Sequence, residues 1–488
     1  MAVKVEVGLE DLSAEKIVSQ IFSKQITAEE VVSHYLARIN RFNHSLKAIV
    51  SLKDEETIRE EAKNKQLRQS NKYPDKLLFG LPLAVKDLFD VKGLPTSYGL
   101  PEFKNNIATK NSIIVERLIN HGAIIIGKTN TPELGVGSHT TNKLFGATAN
   151  VYDTAKSAGG SSGGAASAVA ASLVPFADGS DMMGSCRNPA AYANLYGFRP
   201  TPGLIPEHRN VKTDNKFPLL STPGCLARTP NEMGLLLDAI TGKHATDPFS
   251  FDALSSFREN QMSDDAFSKL KIGWLSDMNG HYEFEAGIID MCEKVLHGLE
   301  TTKVQVEHLK SQISPTDLWD SWTTLRAKNI FDELREINLV NQVSLGFPVQ
   351  WEYQKGEKIK FDDTELALVQ RKKCMDQAEK LFKNFDFLVM PSAQIFPFKK
   401  ELKYPEKISG HTLDTYHRWM EVVILASLLG LPAISVPVGF NQKGLPMGMQ
   451  IIGKKGDDLK VVSFAKKYEE IFTFSQNRPT NFFNLKAP

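Results

Sequence analysis

Gly159-Gly160-Ser161-Ser162-Gly163-Gly164 is the stretch on which the interpretation of this chain depends, with two serines among four glycines. The small residues that follow, Gly164–Ser172, predict a helix whose backbone packs closely on its neighbours. Three interpretations of the loop are open. The first is a phosphate-binding loop, but the Lys-Ser/Thr ending of such a loop is missing. The second is a nucleophile elbow, because Gly159-x-Ser161-x-Gly163 matches the G-x-S-x-G pattern. The third is a tightly packed turn without a chemical role.

A second serine lies downstream in another turn-like stretch. Residues 179–190 are Gly-Ser-Asp-Met-Met-Gly-Ser-Cys-Arg-Asn-Pro-Ala, with Ser185 near the middle. Upstream, Lys86 ends the apolar run Leu77–Val85, which predicts a short buried strand or loop. An isolated lysine is usually a surface residue. At the end of a buried run, however, a lysine loses hydration, and this lowers its pKa toward that of a useful base.

These segments resemble the amidase signature family. Five motifs agree with the family in order and spacing between about Gly80 and Pro206. They are Leu83-Ala84-Val85-Lys86-Asp87, Gly127-Lys128-Thr129-Asn130, the Gly-Gly-Ser-Ser-Gly-Gly loop, Gly-Ser-Asp-x-x-Gly-Ser-x-Arg at 179–187 and Gly197-Phe198-Arg199-Pro200-Thr201. Leu429–Pro437 and Gly444–Gln450 are similar to the family's closing strands.

The resemblance implies a Ser–Ser–Lys triad. Ser185 would be the nucleophile, and Ser161, in a peptide linkage that is cis in the family, would pass its proton to the base Lys86. The chemistry is consistent, because serine is a poor nucleophile until a nearby base takes its proton, and lysine is such a base only when burial lowers its pKa. Gly160 and Ser162 would be supporting residues; Ser162 either hydrogen-bonds Lys86 or caps the next helix.

The same resemblance places an oxyanion hole in the backbone before the nucleophile. Its donors would be the N–H groups of Met182, Met183, Gly184 and Ser185. Most family members have Gly-Gly before the nucleophile, whereas this chain has Met183-Gly184. A backbone donor needs no glycine, but Met183 would be strained if its position requires a positive φ, and its side chain would shape the acyl pocket.

Several neighbouring residues are given structural roles. Asp181 and Arg187 are predicted to form an ion pair beside the nucleophile, and Cys186 to be a buried small hydrophobe. Trp319 and Trp322 have helical spacing typical of a core, but Trp319 stays a candidate substrate contact because it lies in the region where the family builds its substrate funnel. We expect no metal and no cofactor, since the 11 histidines form no HExxH motif.

Composition excludes several classes of protein. The 488 residues are 42% hydrophobic and 24% charged, with a formal net charge of +1, which gives no reason to expect nucleic acid or an anionic membrane as partner. No apolar run is long enough to span a membrane, and the N-terminus lacks a secretory signal. The 4 cysteines form no CxxC pair. We therefore expect a cytoplasmic protein with a small-molecule amide substrate and keep a homodimer as an open prediction.

A capping box at Thr27 and Glu30 predicts the start of a helix, and a last helix is expected from Asp457 to Phe472. Apolar runs predict strands at 123–126, 173–177, 271–275, 387–390, 433–438 and 447–452. This alternation of helical and apolar strand patterns predicts one α/β domain over residues 1–488. Its central sheet would be mixed, mostly parallel and covered by helices on both faces. Residues 1–75 would form N-terminal helices, 76–240 the signature core, and 241–404 a variable substrate-funnel region. Residues 405–488 would return to the core as strands and a helix.

The resulting functional prediction is a stand-alone amidohydrolase that cleaves a carboxylic amide. One alternative is the A subunit of the glutamyl-tRNA amidotransferase, which shares the triad and takes ammonia from glutamine with partner subunits. Another is a catalytically inactive homologue acting as a binding protein. A third is an α/β-hydrolase esterase with Ser161 as nucleophile, which needs a later Asp and His. The Met182-Met183 departure and Asn188 favour the stand-alone amidase.

Overall fold

The computed structural model describes residues 8–67, 76–208, 220–310, 312–336 and 343–483. The strands found in these ranges are β1 (Ile49–Val50), β2 (Pro82–Lys86), β3 (Ile124–Thr129), β4 (Phe176–Asp181), β5 (Tyr196–Arg199), β6 (Thr222–Ala227), β7 (Lys271–Trp274), β8 (Gln305–His308), β9 (Phe387–Pro391), β10 (Lys407–Ile408), β11 (His411–Thr412), β12 (Ala433–Phe440) and β13 (Pro446–Ile452). Eight of them form one large sheet, in the order β4-β6-β5-β12-β13-β9-β7-β8.

The large sheet is mixed, as predicted, but its strands are mostly antiparallel rather than mostly parallel. Each pairing from β4 across to β9 is antiparallel, and the parallel pairs are β9 with β7 and β7 with β8. The prediction came from unbroken apolar runs, which are typical of parallel strands buried on both faces. Here antiparallel strands are buried on both faces as well, so the runs do not report strand direction.

Helices cover this sheet on both sides. All seven consecutive residues of β13 are buried, and successive side chains of a strand point to opposite faces. The helices are Ala14–Phe22, Ala28–Leu46, Glu55–Leu67, Ile113–Asn120, Gly163–Ala170, Arg187–Tyr192, Pro230–Ile240, Asp264–Ser268, Ile288–Glu300, Pro315–Glu336, Phe347–Lys358, Phe361–Leu381, Ile424–Leu429 and Asp458–Phe472. The predicted α/β class, in a single domain with a mixed central sheet covered by helices, is thus confirmed.

The helix of small residues packs closely, as its sequence predicts. A Cβ on Gly164 would lie 2.3 Å from the Asn130 nitrogen and 2.6 Å from the Asn130 oxygen. The helix Gly163–Ala170 therefore touches the backbone that follows β3. This contact brings the start of the helix, with the two serines before it, against a second sheet.

The second sheet has three strands in the order β1-β3-β2. The central strand β3 pairs in parallel with β2 and antiparallel with β1. All five residues of β2 are buried, including the lysine at its end. The parallel pair therefore delivers Lys86 into the interior, next to the edge strand β4 of the large sheet.

Most predicted elements are present. The strands expected at 123–126, 271–275, 387–390, 433–438 and 447–452 and the last helix expected from Asp457 to Phe472 are confirmed within one to three residues at their ends. The strand expected at 173–177 is displaced, since β4 begins at Phe176. No helix in the described ranges is both long enough and apolar enough to cross a membrane. The boundaries proposed at residues 75, 240 and 404 stay predictions.

Candidate active site

Lys86 is the centre of a buried hydrogen-bond cluster. It is the last residue of β2 and is fully buried. Its Nζ donates to three serine hydroxyls, at 2.7 Å to Ser161, 2.8 Å to Ser162 and 2.9 Å to Ser180. The predicted contact between Lys86 and Ser161 is therefore present, and Ser162 contacts the lysine, which was the favoured of its two interpretations.

Burial changes the acid–base behaviour of this lysine. Loss of hydration lowers the pKa of Lys86 from 10.5 to about 8, although the carboxylates of Asp178 and Asp181 act in the opposite direction. Three neutral hydroxyls surround the amine, and neutral partners compensate an ammonium less than a carboxylate does. Lys86 consequently becomes an uncharged amine, as a proton acceptor must be, at a much lower pH than an ordinary lysine does.

The loop around Ser161 has the geometry that its glycines permit. The Gly160–Ser161 peptide bond is cis, and Gly159 has a φ of +74°. A Cβ on Gly160 would lie 2.9 Å from the backbone carbonyl carbon of Ser138. The Gly160 N–H donates to the Asn188 Oδ1 at 3.2 Å, so Asn188 fastens this loop to the helix that follows Ser185.

Ser185 lies between β4 and the helix Arg187–Tyr192, and 6% of its surface is exposed. Its carbonyl oxygen accepts the Ser162 N–H at 3.2 Å, which joins the turn at Ser185 to the Ser161 loop. The structure thus connects Lys86 to Ser161 through side chains, and Ser185 to the same loop through the backbone. Transfer of the Ser185 proton to Ser161 stays a prediction.

The predicted oxyanion donors divide into two groups. The Gly184 N–H donates to the Asp181 Oδ1 at 3.0 Å, so this amide is already engaged. In the described part of the chain, the amides of Met182, Met183 and Ser185 find no hydrogen-bond acceptor. An oxyanion-binding role for these three amides stays a prediction, whereas the Gly184 amide holds the turn through Asp181.

The methionine substitution leaves the turn unstrained. The positive φ, +74°, falls on Gly184 and not on Met183. The Met183 side chain is 3% exposed and packs in the hydrophobic core, whereas the Met182 Sδ lies 3.5 Å from the Arg326 Nη1. Met182, rather than Met183, therefore faces the polar groups of the middle region.

Asp181 and Arg187 form the predicted ion pair. The Arg187 Nη2 lies 2.9 Å from the Asp181 Oδ1, both side chains are fully buried, and Arg199 is 3.6 Å from the same oxygen. Burial alone would raise the pKa of Asp181, but the two arginines hold it well below its usual range. Burial also raises the pKa of the neighbouring Cys186 thiol far above its usual value, so Cys186 is a core residue, as predicted.

A cavity of about 450 Å³ lies beside the Ser161 loop. Its wall includes the segment Val136–His139, and a Cβ on Gly160 would lie 3.0 Å from the His139 nitrogen of that segment. A Cβ on Gly135, one residue earlier, would lie 3.7 Å from the Ser161 Oγ. The opposite walls are rich in aromatic side chains: Phe347, Tyr404, Tyr416, His417 and Trp419.

Trp319 is not part of this wall. Its ring centroid lies 5.0 Å from that of His417, and the Arg418 guanidinium is 3.8 Å from the Trp319 centroid. It is 6% exposed. Trp319 therefore packs against the cavity residue His417 and does not line the cavity itself. A direct contact between Trp319 and a substrate stays a prediction, which its position does not support.

With this geometry established, comparison with known proteins identifies the family. The family model described as Amidase matches residues 30–462. The chain belongs to the amidase family. Both loop serines contact the Lys86 Nζ, which favours the amidase interpretation of the glycine loop over a nucleophile elbow or a phosphate-binding loop.

Three relatives of this amidase-family chain cover nearly all of it. An acylamidase from Rhodococcus erythropolis is 30% identical over 483 residues, with 98% of each chain covered. The A subunit of glutamyl-tRNA(Gln) amidotransferase from Psychrobacter sp. (strain PRwf-1) is 29% identical over 505 residues, with 95% of this chain and 96% of the relative covered. The crystal structure of a bacterial aryl acylamidase of the amidase signature family superposes with a TM-score of 0.89 at 26% identity, with 98% and 99% covered.

Two residues of the amidase site were missed by sequence reasoning. Ser180 binds the Lys86 Nζ, and Asp178 accepts the Lys86 N–H. Both lie on β4, two residues apart and therefore on the same face of that strand. That spacing was available as a signal once the strand was assigned to residues 176–181. Within the described ranges, no three His, Cys, Asp or Glu side chains cluster as a metal site would require.

Proposed function

We propose that this protein is a stand-alone amidohydrolase that cleaves a carboxylic amide through an acyl-enzyme at Ser185. The observation that supports the proposal most strongly is the 2.7 Å contact between the Lys86 Nζ and the Ser161 Oγ. It joins a buried amine, whose pKa is lowered to about 8, to the hydroxyl beside the nucleophile turn. A lysine on the surface keeps a pKa of about 10.4 and would therefore be a poor proton acceptor for Ser161 at neutral pH.

In the acylation step, the Ser185 Oγ attacks the amide carbonyl carbon. Its proton passes to the Ser161 Oγ while the Ser161 proton passes to the Lys86 Nζ. The carbonyl oxygen becomes an anion, and the amides of Met182, Met183 and Ser185 supply donors for it. When the C–N bond breaks, the proton returns through Ser161 to the departing nitrogen, so that the amine leaves neutral.

In the deacylation step, water replaces the amine. Lys86 and Ser161 accept a proton from the water as its oxygen attacks the acyl carbon. Collapse of the second tetrahedral intermediate breaks the bond to the Ser185 Oγ, which regains its proton by the same relay. The products are a carboxylic acid and an amine, and the protein is restored.

The aromatic cavity supports a small substrate with a flat apolar group. Its volume of about 450 Å³ falls in the range of small-molecule sites, and four aromatic side chains line it: Phe347, Tyr404, Tyr416 and Trp419. The names of two relatives, an acylamidase and an aryl acylamidase, agree with such a substrate. We propose acylated aromatic amines as the first substrates to test.

The glutaminase alternative also has specific support. The amidotransferase relative is almost as similar to this chain as the acylamidase. That function would need partner subunits and would release ammonia from glutamine. The stand-alone proposal instead requires the purified chain to hydrolyse simple amides alone, and hydrolysis of glutamine without anilide hydrolysis would favour the alternative.

Two lesser proposals concern the state of the protein in the cell. We propose a cytoplasmic location, because the four cysteines are buried and form no disulfide bond, and the cytoplasm keeps thiols reduced. A homodimer stays a prediction. The inactive-homologue alternative is disfavoured by the intact contact between Lys86 and Ser161.

The test is covalent labelling with a fluorophosphonate, followed by peptide mass analysis, alongside a panel of primary amides, anilides and cyclic amides. We expect the label on Ser185 and a loss of at least about 10³-fold in rate for Ser185→Ala. Ser167→Ala is the matched control, because Ser167 is a buried serine that donates to the Ala149 carbonyl away from Lys86. Labelling at Ser161, or an active Ser185→Ala variant, would contradict the proposal.

A further inference from the structure

Asp178 is a buried carboxylate that the proposed chemistry does not use. It lies on β4 and is 3% exposed. Its Oδ2 and Oδ1 accept the backbone N–H of Lys86 at 3.1 and 3.3 Å. Asp178 therefore fastens the end of β2, which holds the base, to β4, which leads to Ser185.

The other charged groups near this pair are balanced by partners of their own. Asp181 also acts on Lys86, but two buried arginines neutralise it. Lys128 faces Asp178 from β3, but its Nζ is 3.0 Å from the Asp87 Oδ1, and that pair is buried at both ends. Among the described residues, Asp178 forms no salt bridge.

The two thiols in this environment are uncharged. Cys225 lies opposite Asp178 in the register of β6 with β4, and Cys186 follows the nucleophile. Burial raises the pKa of each thiol well above its usual value. The charge of Asp178 is thus the one carboxylate charge acting on Lys86 that no described cation pairs with directly.

We infer that Asp178 is a positioning residue that holds Lys86 at the end of its strand and sets how readily the lysine releases its proton. The inference rests on the proposed function, because it assigns Asp178 to the same base. Its negative charge favours the ammonium form of Lys86, whereas burial favours the amine. The two effects together fix the pH at which the base becomes available.

The carboxylate has its own titration close to this range. Burial raises the pKa of Asp178 to about 6, with the Lys86 N–H and the Lys86 charge acting against that rise. Asp178 is therefore charged at neutral pH, and the two groups titrate as an interacting pair. Removing the charge leaves Lys86 with a lower proton affinity and a usable amine at lower pH.

The test is the pH dependence of kcat/KM for Asp178→Asn. The amide oxygen of asparagine still accepts the Lys86 N–H, so the substitution removes the charge and keeps an acceptor. We expect the acidic limb of the profile to move down by about one pH unit, the lower end of the usual effect of a nearby opposite charge. An unmoved limb, or a limb moved upward, would overturn the inference.

Asp458→Asn is the matched control. Asp458 is also 3% exposed, and burial likewise raises its pKa to about 6, but its carboxylate accepts from Thr201. This variant undergoes the same chemical change away from Lys86, and its acidic limb should coincide with that of the parent. A general response of the profile to loss of a buried carboxylate would move both limbs and contradict the inference.

If Asp178→Asn does not fold, an NMR titration of the parent protein tests the same inference. The Lys86 side-chain nitrogen, assigned in ¹⁵N-lysine NMR spectra by its absence from Lys86→Met, should titrate in two steps, the lower one near pH 6. A single step would overturn the inference. Failure of the proposed function has a different signature, because Ser185→Ala would then be as active as the parent.

Discussion

The Nζ of Lys86 donates to the Ser161 Oγ at 2.7 Å, across 75 positions of sequence. A strand and a helix create this contact, since Lys86 ends a strand of the three-stranded sheet and Ser161 precedes the helix that packs on that sheet. The contact lies in a fully buried environment, where an amine loses much of its affinity for a proton. Most consequences that we expect for activity and stability follow from that loss.

Activity should rise with pH through the titration of Lys86. Below a pKa of about 8 the lysine is an ammonium and has no lone pair for the Ser161 proton, so kcat/KM should fall about tenfold per pH unit on the acidic side. A profile of initial rates between pH 5 and 10 measures this. Equal activity far below the pKa would show that another group is the base.

Replacing Lys86 with methionine should abolish activity and stabilise the fold. At pH 7 the lowered pKa corresponds to a burial cost of about 3 kcal/mol, and loss of the lysine leaves three serine hydroxyls without a donor, so a net gain of roughly 1–2 kcal/mol is expected. The unfolded chain binds more protons than the folded one between about pH 8 and 10.5, so stability of the parent rises over that window.

Urea unfolding of Lys86→Met and parent at several pH values checks the sign. The stability difference between them should be largest below pH 8 and shrink as the pH approaches 10.5. A difference that stays constant with pH would mean that the pKa of Lys86 is not lowered in the folded state.

Gly184→Ala should destabilise the nucleophile turn. Gly184 has a φ of +74°, and a Cβ there would lie 2.9 Å from a methyl group of Val423. Gly456→Ala is the matched control, because Gly456 has a φ of +88° but nothing within 4 Å of its Cβ position. Strain alone costs about 1–2 kcal/mol, so the control should lose that much and Gly184→Ala more. If thermal unfolding showed equal losses of stability in the two variants, a steric clash of the Gly184→Ala methyl group with Val423 would be excluded.

Phe347→Ala should weaken binding of aromatic amides. Phe347 lines the cavity yet is 45% exposed, so its loss costs little stability. We expect KM for an anilide to rise roughly threefold to tenfold, with an aliphatic amide less affected. Phe361, which is 76% exposed and outside the cavity wall, provides the control Phe361→Ala. An equal rise of KM in Phe347→Ala and Phe361→Ala would show that the cavity does not bind the aromatic group of the substrate.

The sequence predicted the local parts of the site well because each depends on nearby residues. The glycines at 159–164 allow a turn with a positive φ, and the capping box of Thr27 and Glu30 is present at the start of its helix. The lysine at the end of an apolar run is buried because β2 is buried throughout. These features needed no knowledge of distant partners.

Features that depend on long-range pairing were predicted less well. The direction of the strands was wrong, since two covered faces give the same apolar runs in parallel and antiparallel sheets. Asp178 and Ser180 were missed because their partner, Lys86, lies on a different sheet. One local contact was missed as well, because residue spacing alone does not describe how the turn closes when the Gly184 N–H donates to Asp181, three residues earlier.

The most direct test of the account is the value of kcat/KM for Lys86→Arg on the best amide substrate of the parent. Arginine keeps the positive charge and length of the side chain but does not release its proton in the accessible pH range. We expect a loss of at least about 10³-fold at every pH, with no rising limb near pH 8. Turnover comparable to that of the parent would contradict an uncharged lysine as the base.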